Sequence, residues 1–226
     1  MINKATIIRE KRKTLKIIID EKKGLIVVAP QKTTLKKISE ILEKKKSWIE
    51  KNMKRQSQEK IANLEFVTYR RTFLLGKIYD IEFSTQLKKI SLNETKLIVP
   101  YKTNEDLKIF VRKTKKWYKN LAEIVLKQRI DELSKEHSFS FNSFKIGDFR
   151  GKWGSCDSGK NIKFNWRLLM LQPDLVDFVI LHELVHTREM NHSEKFYNIL
   201  FQIVPDGKLK RKALKNYSFL LNLYRE

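Results

Sequence analysis

Apolar positions in the first hundred residues recur in short alternating runs. Ala5 to Glu10 and Thr14 to Asp20 have the two-residue period of strands, and Glu21-Lys22-Lys23-Gly24 turns into the apolar run Leu25-Ile26-Val27-Val28 before Pro30. Thr33 or Thr34 can cap a helix through Leu35, Ile38, Ile41, Leu42, Trp48 and Ile49 to about Arg55, with lysine crowding its other faces. After a polar stretch at Gln56 to Lys60, strands are predicted at Glu65 to Tyr69, Ile78 to Ser84, Lys89 to Leu92 and Lys96 to Val99. The last two are separated by a turn at Asn93-Glu94-Thr95. This describes a small α+β unit over residues 1–100, ending at Pro100 to Asn104.

From residue 101 the period changes. A long helix is predicted from about Glu105 to Lys135, with Leu107, Val111, Trp117, Leu121, Ile124, Val125 and Ile130 as its core stripe, long enough to back a whole sheet. Four of the seven glycines then fall between 147 and 159, in strand-like sequence that should bend, bulge or admit a second backbone; simple hairpin glycines would look the same. From Pro173 to Met190 a helix is apolar nearly all round, with Pro173 in its first turn and Asp174 and Asp177 complementing its dipole, so it should be buried.

That buried helix carries His182-Glu183-Leu184-Val185-His186, and His192 comes six residues later; three of the four histidines lie in these eleven residues. One turn apart on a helix, His182 and His186 share a face, as two imidazoles must to hold one Zn²⁺ at about 2.0–2.1 Å. Glu183 beside them can take a proton from a water whose pKa zinc lowers to about 7. The structural alternative is a core helix whose histidines only hydrogen-bond, but burying two imidazoles and a carboxylate without partners costs on the order of several kcal/mol. Continued helically, His192 would stand about 240° round from His186. The helix is therefore expected to stop near Glu189 to Asn191, with Asn191 adopting the left-handed conformation and Ser193-Glu194 starting a new helix. The alternative leaves His192 as a cap and takes a distant carboxylate as third ligand. His137, alone at a helix end, is expected to cap or face solvent.

Composition adds a partner class. The net charge is +22, and residues 1–60 hold 18 basic and 7 acidic residues, so +11 of it lies in the first quarter. Such a surface attracts polyanions, nonspecific nucleic acid among them, or is only a solvated lysine-rich exterior. One cysteine, Cys156, excludes an internal disulfide framework and suits a reducing compartment. No signal-peptide core and no membrane-length apolar run is present, so a soluble, cytoplasmic protein without a membrane partner is expected.

Lys152-Trp153-Gly154-Ser155-Cys156, Asn161-Ile162, Asn165-Trp166-Arg167-Leu168, the His182 to His186 pentapeptide and Asn191-His192-Ser193 with Phe196 together resemble the YgjP-like metallopeptidase family, related to the WLM and SprT-like zincins. The element order of the whole chain is similar too. The resemblance implies an α+β fold: a basic N-terminal strand-and-helix unit (1–100), then a zincin-like domain (101–226) with a long backing helix, a small antiparallel sheet, the active-site helix and C-terminal helices. It implies His182, His186 and His192 as zinc ligands and Glu183 as general base. Lys152 stands where the family usually has Arg, Tyr197 where Trp is frequent, and Glu189 where three-histidine zincins have a turn glycine.

For the oxyanion of a tetrahedral intermediate, Arg167, Tyr197 and Arg188 are the donors nearby in sequence, with Arg167 favoured by its motif. Cys156 is either a packed thiol or a redox-sensitive, metal-competing one. The expected activity is zinc-dependent cleavage of peptides bound in extended form. Nucleotide phosphohydrolysis is the rival, and a nucleic-acid adaptor with a vestigial zinc site is a third reading that the intact Glu183 disfavours.

Overall fold

The computed structural model describes residues 5–20, 24–53, 71–102 and 107–224. The expected turn at residues 21–23, the polar stretch at 56–60 and the strand at 65–69 lie outside them. The chain forms two compact units, Met1–Ala62 and Asn63–Glu226.

In the first unit β1 (Ala5–Glu10) pairs parallel with β3 (Gly24–Pro30), and β2 (Lys16–Asp20) pairs antiparallel on the other side of β3. The central position of β3 explains its continuous apolar run, since Leu25 to Ala29 are buried on both faces. Thr34 caps α1 (Leu35–Lys44), its hydroxyl accepting from the Lys37 N–H at 3.3 Å. Ile38, Leu42 and Ile49 then pack on Leu25, Val27 and Ala29. The predicted single helix is interrupted at Lys45, and helical backbone resumes over 46–53.

The second unit begins with a four-stranded sheet in the order β4 (Arg71–Leu74), β5 (Lys77–Ser84), β7 (Lys96–Pro100), β6 (Ser91–Leu92). Leu75 and Gly76, both at positive φ, make the tight β4–β5 turn, a conformation glycine accepts without strain. Leu74, Tyr79, Ile81, Leu97 and Val99 join the same core as the 30-residue helix α2 (Leu107–Glu136). The sheet of residues 71–100 therefore belongs with α2 and the C-terminal elements, and the contacts part after Ala62, earlier than the boundary expected at residues 100–104.

A third sheet has the order β8 (Ser143–Gly147), β10 (Asn161–Asn165), β9 (Gly154–Cys156). It is mixed where an antiparallel sheet was expected: the loop after β8 carries β9 out to the edge and returns the chain as β10, parallel to β8. A 3-10 turn (Trp166–Met170) leads into α3 (Pro173–Val185), which is buried nearly all round as its composition predicts. Arg129 of α2 clamps Asp177 of α3 with two hydrogen bonds, at 2.7 and 2.9 Å. Then come α4 (Glu194–Ile203), α5 (Gly207–Asn216) and a 3-10 turn at Ser218–Asn222. Among the described residues no helix is long and apolar enough to cross a membrane.

Under this sheet lies Arg167, with no solvent exposure. It donates to Asp148 at 2.5 Å and to the Leu223 carbonyl at 2.8 Å, and its guanidinium lies 4.1 Å from the Trp166 ring centroid. Lys115 reaches the other Asp148 oxygen at 2.6 Å. Burial pushes the Asp148 carboxyl up, but hydrogen bonds and charge from Lys115 and Arg167 outweigh it and hold the pKa at about 2. A depressed carboxyl stabilises the fold above its unfolded pKa and loses that contribution as pH falls through the folded value. Acid titration between pH 4 and 2 should therefore remove about 2 kcal/mol of stability in the wild type and little in Asp148→Asn, read by denaturant unfolding at each pH. Arg167→Met should cost about 2–4 kcal/mol at neutral pH, less than a fully orphaned buried charge because Lys115 still pairs Asp148.

Candidate metal centre

The helix stops where chemistry needs it to stop. After Val185 the backbone tightens: the Thr187 N–H donates to Leu184 O at 3.0 Å, that of Arg188 to Val185 O at 2.9 Å, and the Thr187 hydroxyl to Leu184 O at 2.7 Å. These i to i−3 bonds end α3 without a left-handed residue, and no residue from 186 to 193 has positive φ. That explains how Glu189 can occupy a position where glycine is usual. It also corrects two expectations, since the stop falls after Val185 rather than near Asn191, and Asn191 is not left-handed. The restart at Ser193 is as predicted, its Oγ accepting from the Phe196 N–H at 3.3 Å.

The turn brings His192 back over α3. His182, His186 and His192 each offer a ring nitrogen, all within 4.8 Å of one another. The Nε2 atoms of His182 and His192 are 3.0 Å apart, close to the roughly 3.3 Å that a tetrahedral ion with nitrogens at 2.0–2.1 Å would set. The fully buried Phe196 ring touches all three imidazoles, with centroids 4.5–4.9 Å away, and so forms a common floor. His186 Nδ1 lies 3.1 Å from Glu189 O; the tautomer that donates there leaves Nε2 its lone pair. Burial, with the neighbouring histidines and Arg211, pushes His182 down to about 3, and burial likewise lowers His186. Both are neutral, as metal ligands must be. His137 is not part of this cluster.

Glu183 is buried beside the triad. Its side chain runs over Gly154 of β9 so closely that a Cβ there would stand 2.8 Å from both its Cγ and its Oε1. The glycine expected to admit a second backbone thus makes room for this carboxyl. Burial pushes Glu183 up to about 7, against the opposing pulls of Lys152 and the Cys156 backbone N–H. The half-buried Cys156 thiol is itself pushed up to about 11, by burial first and then by Glu183, so it is protonated at neutral pH.

A cleft of about 460 Å³ opens over these groups, lined by residues 152–156 on one side and by Phe178, Met190, Arg211 and Leu214 among others. None of the three expected oxyanion donors lines it. Arg167 is held in the core by Asp148 and Leu223, and Arg188 lies 4.2 Å from the Phe139 ring centroid, donating to the His137 and Ser138 carbonyls. Tyr197 stacks on His192, their ring centroids 6.1 Å apart, without lining the cleft. Arg211, which does line the cleft, was not legible as a site residue: it sits in the run Lys208-Leu209-Lys210-Arg211-Lys212, where no spacing separates it from its neighbours.

A family model described as YgjP-like, metallopeptidase domain, matches residues 13–217. No curated protein and no solved structure matches the chain.

This geometry sets two expected outcomes. Gly154→Ala should keep the fold but displace the Glu183 carboxyl, with far-UV circular dichroism unchanged and hydrolysis reduced about 10²-fold or more. In metal-free protein the raised Glu183 pKa favours folding below about pH 4.5 and loses that contribution as pH rises through 7. Glu183→Gln should therefore match the wild type near pH 4.5 and exceed it by up to about 3 kcal/mol at pH 8, measured by unfolding in chelator.

Proposed function

Because the chain belongs to the YgjP-like metallopeptidase family, we propose that its metal is zinc, held by His182, His186 and His192, and that it cleaves unfolded polypeptides. The observation that carries the reading is the convergence of three imidazoles with a buried carboxyl whose pKa burial raises to about 7. Bound there, zinc would supply Lewis acidity and a water acidic enough to ionise near neutrality.

Glu183 takes the proton from the attacking water and passes it to the leaving amine. Burial raises the basicity of this carboxyl, which suits it to accept a proton and return it. Gly154 keeps that carboxyl in place. Phe196 and the Leu184–Thr187 bonds fix the imidazoles before any ligand arrives. The substrate is an extended chain added to β9, which is an edge strand with Gly154, Ser155 and Cys156 all on the cleft wall. Backbone pairing of that kind gives loose sequence preference and favours unfolded chains.

His182→Ala, His186→Ala and His192→Ala should each lose zinc and the folding energy its binding adds. Glu183→Gln should keep the metal while turnover of an unfolded protein falls by about 10²-fold or more. Zinc per chain, melting temperature with and without chelator, and hydrolysis for the four variants test this, with nucleoside triphosphates assayed alongside. Full zinc occupancy in His192→Ala, or undiminished cleavage by Glu183→Gln, would overturn it.

A further inference from the structure

The cleft contains one carboxylate, Glu183, and two cations, Lys152 and Arg211. Cations near this site are mostly consumed by acids: Arg167 and Lys115 by Asp148, Arg129 by Asp177 and Glu132, and Lys210, next to Arg211, by Asp174 and Asp206. Lys152 and Arg211 are different. Among the described residues neither has an ion pair, and each is held instead against an aromatic ring, the Lys152 Nζ 4.9 Å from the Phe149 centroid and the Arg211 Cζ 5.2 Å from that of Tyr197.

Arg211 is the better placed of the two. Tyr197 is itself wedged, stacked 5.4 Å from Phe201 and 6.1 Å from His192, at interplanar angles of 26° and 27°. A guanidinium on a ring face gives up rotamer freedom while its N–H donors stay open at their edges, ready for a carboxylate fork. Lys152 acts electrostatically on Glu183 and Arg211 on His182, so positive charge reaches the reacting groups from both. Desolvating two fixed cations is costly unless an anion replaces the water.

We propose that Arg211, supported by Lys152, makes the cleft selective for polypeptides with a carboxylate close to the bond that is cut, whether an acidic side chain or a chain terminus; this rests on the peptidase reading above. Arg211 is then a specificity-determining residue, and Tyr197 a positioning residue for it.

The test uses the full-length, zinc-loaded protein and unfolded peptides in matched pairs, Glu against Gln at each position flanking the cut, with the carboxyl terminus amidated. A further arm carries a free carboxyl terminus instead and so separates the two sources. The Glu peptide, or the free-terminus peptide, should be favoured at least about tenfold in kcat/KM at one position. Arg211→Gln should bring that ratio close to one, lowering kcat/KM for the favoured peptide at least about tenfold more than for the Gln peptide, and Arg211→Lys should restore part of it. Lys208→Gln, a control on the Phe201 ring outside the cleft, should change nothing. That control matters because a chain of +22 attracts any acidic peptide, an attraction one lost charge scarcely alters. Fluorescence anisotropy of the same peptides on Glu183→Gln should show the same preference without turnover. Equal handling of all peptides, or a preference that survives Arg211→Gln, overturns the inference alone. Failure of the wild type to cut any peptide overturns the peptidase reading and the inference with it.

Discussion

Had α3 run one turn past Val185, His192 would face away from His182 and His186, and no cluster of imidazoles would exist. The rest of the site depends on that stop. Thr187 secures it by closing its hydroxyl and its amide on the Leu184 carbonyl, which a continuing helix would have given to residue 188. Ser193 then restarts the chain at an angle that drives Phe196 under the three rings. Secondary structure, capping and core packing meet at one aromatic side chain, and the site inherits its rigidity from the core.

The surrounding architecture sorts charge by depth. Arg167 and Asp148 sit deep and satisfy one another, with Lys115 completing the group, so their contribution is to the fold. Arg129 and Asp177 bind α2 to α3 on the outer side. Glu183 is the exception, a buried carboxyl that no arginine among the described residues neutralises. It is held over a glycine and burial raises its pKa to about 7, a cost to stability that fits the proposed role as general base.

Much of this was legible in the sequence. Spacing alone put His182 and His186 on one face, and the return of His192 came from the conflict between its spacing and a continuous helix. The apolar run in the helix read from Pro173 to Met190 declared its own burial, which holds as far as Val185. Other features had no local signature. Arg167 stands in a motif, but a motif position suits a core clamp as readily as a catalytic donor, and only its contact with Asp148, nineteen positions away, decides between them. The division after Ala62 was missed because β4 is four residues long and alternates weakly. Once β4 is in place, its pairing with β5 puts that sheet against α2. The relation between Gly154 and Glu183 joins residues far apart in the chain, and nothing in either neighbourhood foretells it.

Strand β9 has a consequence for the life of the protein outside the reaction. A free strand edge beside an apolar cleft is an invitation to any extended chain, including another partly folded copy of this one. Here the edge is three residues long, and glycines at 151 and 154 break the line of side chains around it. So short a ladder supplies only a few backbone hydrogen bonds, each worth about 1 kcal/mol net. It can hold a passing segment briefly, but it cannot template a growing sheet, and the heavy positive charge of the chain adds repulsion between copies. Brevity at this edge therefore guards against aggregation in a molecule whose proposed work is to handle unfolded polypeptide.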